Sequence, residues 1–209
     1  QNAWTDALMT RIINQPETVD IADLEFFGMR KVWPSGKLQA IDTKLIKSWD
    51  KMEPIFRDGK YANGNPVSPQ GTMPFEVTYV EAADAKGFAS QRTELATCMP
   101  TIYNADTLGI RPDLINRKIE SWAELINPEF KGKAATLNIP SIGIMDAAMV
   151  VEALGIYKYP DKGNMTKKEI DLTIKTMIEA KKQGQFRALW KDFNESVNLM
   201  ASGEVVIQS

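Results

Sequence analysis

The chain has 209 residues, 44% hydrophobic and 25% charged, enough to bury a core as one large domain or two small lobes and too apolar for a disordered tail. Its 25 lysines and arginines stand against 27 acids, and a net charge of −2 raises no field to gather nucleic acid or an anionic membrane surface. Histidine is absent, which removes Ser-His-Asp and Cys-His dyads, the HExxH zinc site and any imidazole base from the chain.

The first periodic stretch, residues 3–13, sets Trp4, Leu8 and Ile12 at i, i+4 and i+8. This is the apolar stripe of a helix that Asn14 and Pro16 end. The opening residues QNAWTDALMT have neither a basic nor an apolar leader region, and no apolar run in the chain approaches the roughly 20 residues of a spanning helix. Val19, Ile21 and Asp23 alternate with Asp20, Ala22 and Leu24, the period of a short strand. It leads into a helical turn over 27–31 that Pro34, Ser35 and Gly36 break. A second helical segment is expected over 43–52, followed by a loop over 58–72 rich in Gly, Pro and Asn.

Cys98 is the one cysteine, so no disulfide forms within the chain, and its setting in TELATCMP reads as a small buried apolar site. CMPTIYNADTLGIRPDL reads as an extended segment ending at Gly109 and turning at Arg111 and Pro112. Ser121 and Glu124 have capping-box spacing ahead of WAELI, and Asn127-Pro128 stops that short helix. Residues 133–138 form a compact strand. Pro140-Ser141 then opens a helix on which Ile144, Ala148, Val151 and Leu154 share a face and which Gly155 closes. Thr166 and Glu169 make a second capping box, and Ile170, Ile174, Met177, Ile178 and Lys181 mark the buried face and flank of a helix ended by Gly184. A last helix over 194–201 is released by Gly203 into the strand EVVIQ. No GxGxxG or GxxxxGK[ST] loop supports nucleotide binding. The alternation of strands and helices argues for an α/β architecture with mixed or parallel sheets.

The order of four phrases carries a resemblance. ESWAELINPEFKGKAATLNIPSIGIMDAAMVVEALG is similar to the second-lobe signature of family 1 extracellular solute-binding proteins of ABC importers, above all the spermidine/putrescine-binding branch. That family shows a SWADLW.P.YKGKV phrase, a strand, and a helix ending in ALG. DIADLEFFGMRKVWPSGKLQAID resembles its first-lobe strand and ligand loop, MPTIYNADTLGIRPDLI its first crossover, and NLMASGEVVIQS the approach to its second. The resemblance implies a periplasmic-binding-protein type II fold, two lobes joined by extended crossover strands. Residues 1–97 would belong to the first lobe and 98–209 to most of the second, both lobes incomplete.

What it implies for function is a non-catalytic, exported receptor, periplasmic or extracellular. It would be a monomer without a cofactor, taking a small-molecule solute and delivering it to the membrane permease of an ABC importer, with no nucleic acid partner and no membrane insertion of its own. The family's first-lobe ligand loop matches Glu25 and Phe27, where a carboxylate could pair with an amine and a ring could pack on it. The plain alternative is a solvated Glu beside a core Phe. At the crossover the matching positions are Tyr103, a flat apolar face with a polar tip, and Asn104, both donor and acceptor. Where polyamine-binding relatives carry acids at the start of the second-lobe helix, this chain has Asn138, Ile139, Pro140, Ser141, Ile142 and Gly143. Free N–H groups at residues 141–143 and the Ser141 hydroxyl would suit a carboxylate, phosphate or hydroxyl, although Ser141 also fits a simple N-cap. Asp146, a turn further on, is a weak substitute for the missing acids. A zwitterion with its amine on Glu25 and its carboxylate near Ser141 reconciles both ends. Two other readings stay open: an enzyme on the same two-lobed fold with Cys98 as nucleophile, as in thiamine-cleaving relatives, and an interaction module without a small ligand.

Overall fold

A computed structural model describes residues 5–67, 70–71, 73–103 and 106–209. Among them the protein is mixed α/β, with six α-helices and two sheets. The chain divides into two compact units, 1–103 and 104–209.

The first unit begins with α1 (Thr5–Asn14), whose Met9 and Ile12 pack on Val32 of the short helix α2 (Met29–Val32). No strand forms over 19–24: the segment is extended but unpaired. Val19, Ala22 and Leu24 turn onto the Met9–Ile12 cluster, while Ile21 stands 93% exposed. An alternating pattern marks which side faces the core; it does not supply a neighbouring strand to bond to. Gly36 takes a left-handed φ of 69° and ends the turn after Trp33–Ser35, as the Pro-Ser-Gly triplet predicts. The helix expected over 43–52 is instead two 3-10 turns, Thr43–Leu45 and Trp49–Lys51, with Ile46 extended between them. Tertiary bonds dictate this break. Asp42 caps the first turn through Lys44 N, Thr43 bonds to Glu94 O through both its N and its hydroxyl, and Trp49 is buried with its indole on the Tyr79 hydroxyl at 3.2 Å. The short helix α3 (Pro54–Arg57) lies between β1 (Ile41–Asp42) and β2 (Tyr79–Val80), and these two-residue strands make an antiparallel sheet with β3 (Leu95–Ala96) in the middle. Met29, Trp33, Val77 and Val80 form the main core beside it.

The second unit holds the longer elements. Its sheet has the order β4 (Gly109–Ile110), β7 (Ile207–Gln208), β5 (Ala134–Leu137), β6 (Phe186–Trp190). β5 runs parallel to both β6 and β7, and β4 is antiparallel to β7. Between β5 and β6 lie α4 (Pro140–Ala153) and α5 (Lys167–Lys182); between β6 and β7 lies α6 (Phe193–Ser202). Successive residues of a strand point to opposite faces, and here Gln208 reaches Ser196 on α6 while the Ser209 side chain, next along, acts on the Asp146 carboxyl of α4. The sheet is therefore covered by α4 on one face and α6 on the other, with β5 at the point where the chain first steps outward to β6 and then back across to β7.

The α5 capping box forms, with Thr166 and Glu169 bonding reciprocally. Its buried face is not the isoleucine row, however: Ile170, Ile174 and Ile178 are 39%, 44% and 44% exposed, and Glu169, Thr173 and Ala180 are buried. A polar network claims the inner face, because Tyr159 bonds to Thr173 and Tyr157 to Glu169. WAELI is a 3-10 turn, Trp122–Ile126, with Ser121 capping Ala123 N; Glu124 turns away from the cap to Arg117 and Asn127. Gly155, Gly184 and Gly203 have positive φ at the three helix ends where the sequence places them.

Candidate functional site

The parallel strands β6 and β5 end level at Trp190 and Leu137, and β7 ends at Gln208, opposite Ala135, with Ser209 next along the chain. In open α/β sheets the carboxyl ends of parallel strands, at the place where the strand order reverses, are where ligands bind. Ser209 is the centre of the arrangement. Its N bonds to Ala135 O at 3.2 Å, continuing β7, and its carbonyl accepts the indole N–H of Trp190 at 2.9 Å. Its hydroxyl accepts Leu137 N at 3.4 Å and lies 2.9 Å from Thr136 Oγ1.

Asp146 is 4% exposed on α4. Burial, then the like charge of Asp106, pushes its carboxyl up to about 6, against the pull of the Ser209 hydrogen bond. A buried carboxyl pushed up in its titration thus lies on the helix beside strand ends that carry two hydroxyls, an arrangement that makes it a candidate site. Of these residues, sequence reading named Asp146 only as a weak substitute for missing acids and did not name Thr136, Trp190 or Ser209. Only the phrase order around NIPSIGIMD pointed to this stretch; pairing of β5 with β7, far apart in the chain, is what assembles it.

The residues named from sequence fall into two groups. In the first unit, Glu25 is exposed at the start of the 3-10 turn Phe26–Gly28, its carbonyl accepting Gly28 N at 2.9 Å. Phe27 is half-buried and meets Phe26 edge-on with centroids 5.9 Å apart. Tyr103 is 72% exposed, its ring 4.9 Å from that of Phe56. Asn104 lies outside the described residues. In the second unit, Ser141 is exposed and Gly143 half-buried at the start of α4. The N-cap there is Ile139, not Ser141, and the N–H groups of Ile142 and Gly143 already bond to Ile139 O at 3.1 and 2.7 Å. The open row of donors expected at 141–143 is thus largely closed within the helix. Gly143 has a packing reason too: a Cβ there would come within 2.5 Å of the Leu137 carbonyl oxygen.

Burial pushes the Cys98 thiol up, opposed by hydrogen bonds from Thr97 and Thr78. A thiolate nucleophile needs the opposite shift. Two open depressions lie elsewhere: one beside the Arg30–Glu76 ion pair in the first unit, the other around Phe130, Lys133 and Val206 in the second. Neither includes any residue named above as a site. No helix among the described residues is long and apolar enough to cross a membrane. Set beside protein-family models, curated proteins and solved structures, the chain has no match.

Proposed function

We propose that the chain belongs to a solute-binding receptor of an ABC importer, a two-lobed type II binding protein that captures a small polar ligand by lobe closure and hands it to a membrane permease. On this reading the protein is exported, periplasmic or extracellular, and acts as a monomer without catalysis or cofactor. The observation that carries the proposal is the buried Asp146 carboxyl of α4, pushed up by that burial, beside the carboxyl ends of β5, β6 and β7. The four ordered phrases and the mixed α/β architecture support it. An acid at this edge favours a ligand that presents a hydrogen-bond donor or positive group to the second unit, such as an amine or an amino-acid-like solute.

A thermal-shift screen against amines, amino acids, organic acids and sugars tests the reading. A ligand at about 100 times its dissociation constant stabilises by roughly 2.7 kcal/mol, and one of these classes is expected to do so. No stabilisation by any of them removes the receptor reading in favour of an interaction module. The enzyme alternative is disfavoured by the raised Cys98 thiol; thiol labelling that titrates below the ordinary cysteine range would restore it.

A further inference from the structure

We propose that α5 is a self-association face: two copies of the chain pair antiparallel along Ile170, Ile174 and Ile178, and a row of alternating charge beside the isoleucines fixes one register. The pairing goes beyond the receptor reading and is independent of it, since solute capture takes a single molecule.

The inner face of α5 is already filled. Glu169, Thr173 and Ala180 are buried, with Tyr157 and Tyr159 bonded to the first two. The three isoleucines, at i, i+4 and i+8, are left exposed on the flank. Isoleucine is no better a helix former than Lys or Glu, so the helix itself does not call for three in line. An apolar row framed by charge is the pattern of a helix that lays that side on another surface.

The frame identifies the surface. One residue further round the helix runs the row Lys167, Asp171, Lys175 and Glu179, all exposed and alternating in sign. Within one molecule they pair along the helix, Lys167 with Asp171 at 2.6 Å and Lys175 with Glu179 at 3.9 Å. In an antiparallel pair related by a dyad, the row on one side of the apolar stripe meets the same row of the second copy. With the dyad level with Thr173, Lys167 meets Glu179 of the second copy and Asp171 meets its Lys175. Sliding the two helices past each other by one turn in either direction sets Asp171 on Asp171 or Lys175 on Lys175. Only the first register places opposite charges together throughout.

The isoleucines select the same register. At 1.5 Å per residue they stand about 6 Å apart along α5. About the Thr173 level, Ile174 of the second copy comes midway between Ile170 and Ile174, and its Ile170 midway between Ile174 and Ile178, so the two rows interdigitate. The contact is one helix from each copy, at the small end of interface sizes, and a weak pair is expected, half formed at a chain concentration on the order of 100 μM.

Sedimentation equilibrium of the chain without solute, from about 10 μM to about 1 mM, tests the pairing. The mass should rise from 23.4 kDa towards twice that value. Ile174→Lys, whose fold is checked by circular dichroism, should remain a single chain throughout. Lys175→Glu and Asp171→Lys each set like charges together at two places in a pair, and each alone should weaken association about tenfold. An equal mixture of these two variants restores opposite signs at both places and should regain the original affinity, which a variant damaged in its fold would not do. A single-chain mass at every concentration, pairing that survives Ile174→Lys, or a mixture that associates no better than its components overturns the proposal, and each leaves the receptor reading as it stands.

Discussion

Where α4 leaves β5, Gly143 faces the Leu137 carbonyl with no room for a methyl group, the added Cβ falling 2.5 Å from the oxygen. Its backbone φ is not left-handed, so the constraint is one of approach and not of conformation. Gly143→Ala is expected to cost about 1–3 kcal/mol by overpacking, read as a lower urea midpoint with an unchanged slope. The same close approach brings Asp146, one turn on, down to the strand ends where Ser209 meets it. At Gly143, named from sequence for its backbone N–H, the packing requires a missing side chain, and Asp146 beyond it is the buried acid. Spacing alone could not rank the two, since the ranking depends on the burial of Asp146 and on Ser209, which arrives from another strand.

Helix ends were the most legible elements. Thr166 with Glu169, Pro140, and the glycines at 155, 184 and 203 act through local backbone chemistry, and each takes its expected place. The compact strand at 134–137 was legible for a similar reason, an apolar run between turn residues. Elements that depend on distant partners were not. β1, β2 and β3 are two-residue strands with no periodicity to read, and β6 alternates with its half-buried residues on one face only. The buried side of α5 was misread because a row of isoleucines outranks Glu169 and Thr173 on any burial preference, whereas Tyr157 and Tyr159 satisfy those polar groups inside. Ile174→Lys provides a direct check. At an exposed position it should shift unfolding free energy by no more than about 0.5 kcal/mol, where a core isoleucine would lose several times that, measured by denaturant unfolding. Of the candidate site, sequence reading named residues at the start of α4 but not Thr136 and Ser209, which the pairing of β5 with β7 brings together.

Over the whole chain, the two compact units carry separate cores, one around Met29, Trp33, Val77 and Val80, the other including Ala148, Val151 and Tyr159 beside a second cluster around Phe130 and Ile207. Calorimetry is expected to resolve two unfolding transitions. Val150→Ala, at a fully buried position of α4, should lower one of them by about 2 kcal/mol and leave the other in place. A single transition shifted as a whole would mean that the units unfold as one.

The sheet of the second unit has one more consequence, for the order of events during synthesis. β7 lies between β4 and β5, yet it is made after both, with α4, α5, β6 and α6 all preceding it. Until it leaves the ribosome, β4 has no strand to bond to and one edge of β5 stays open. The nascent unit therefore carries an unpaired apolar edge for most of its elongation, and it is this late strand, seated at the centre, that completes the sheet and delivers Ser209 to Asp146.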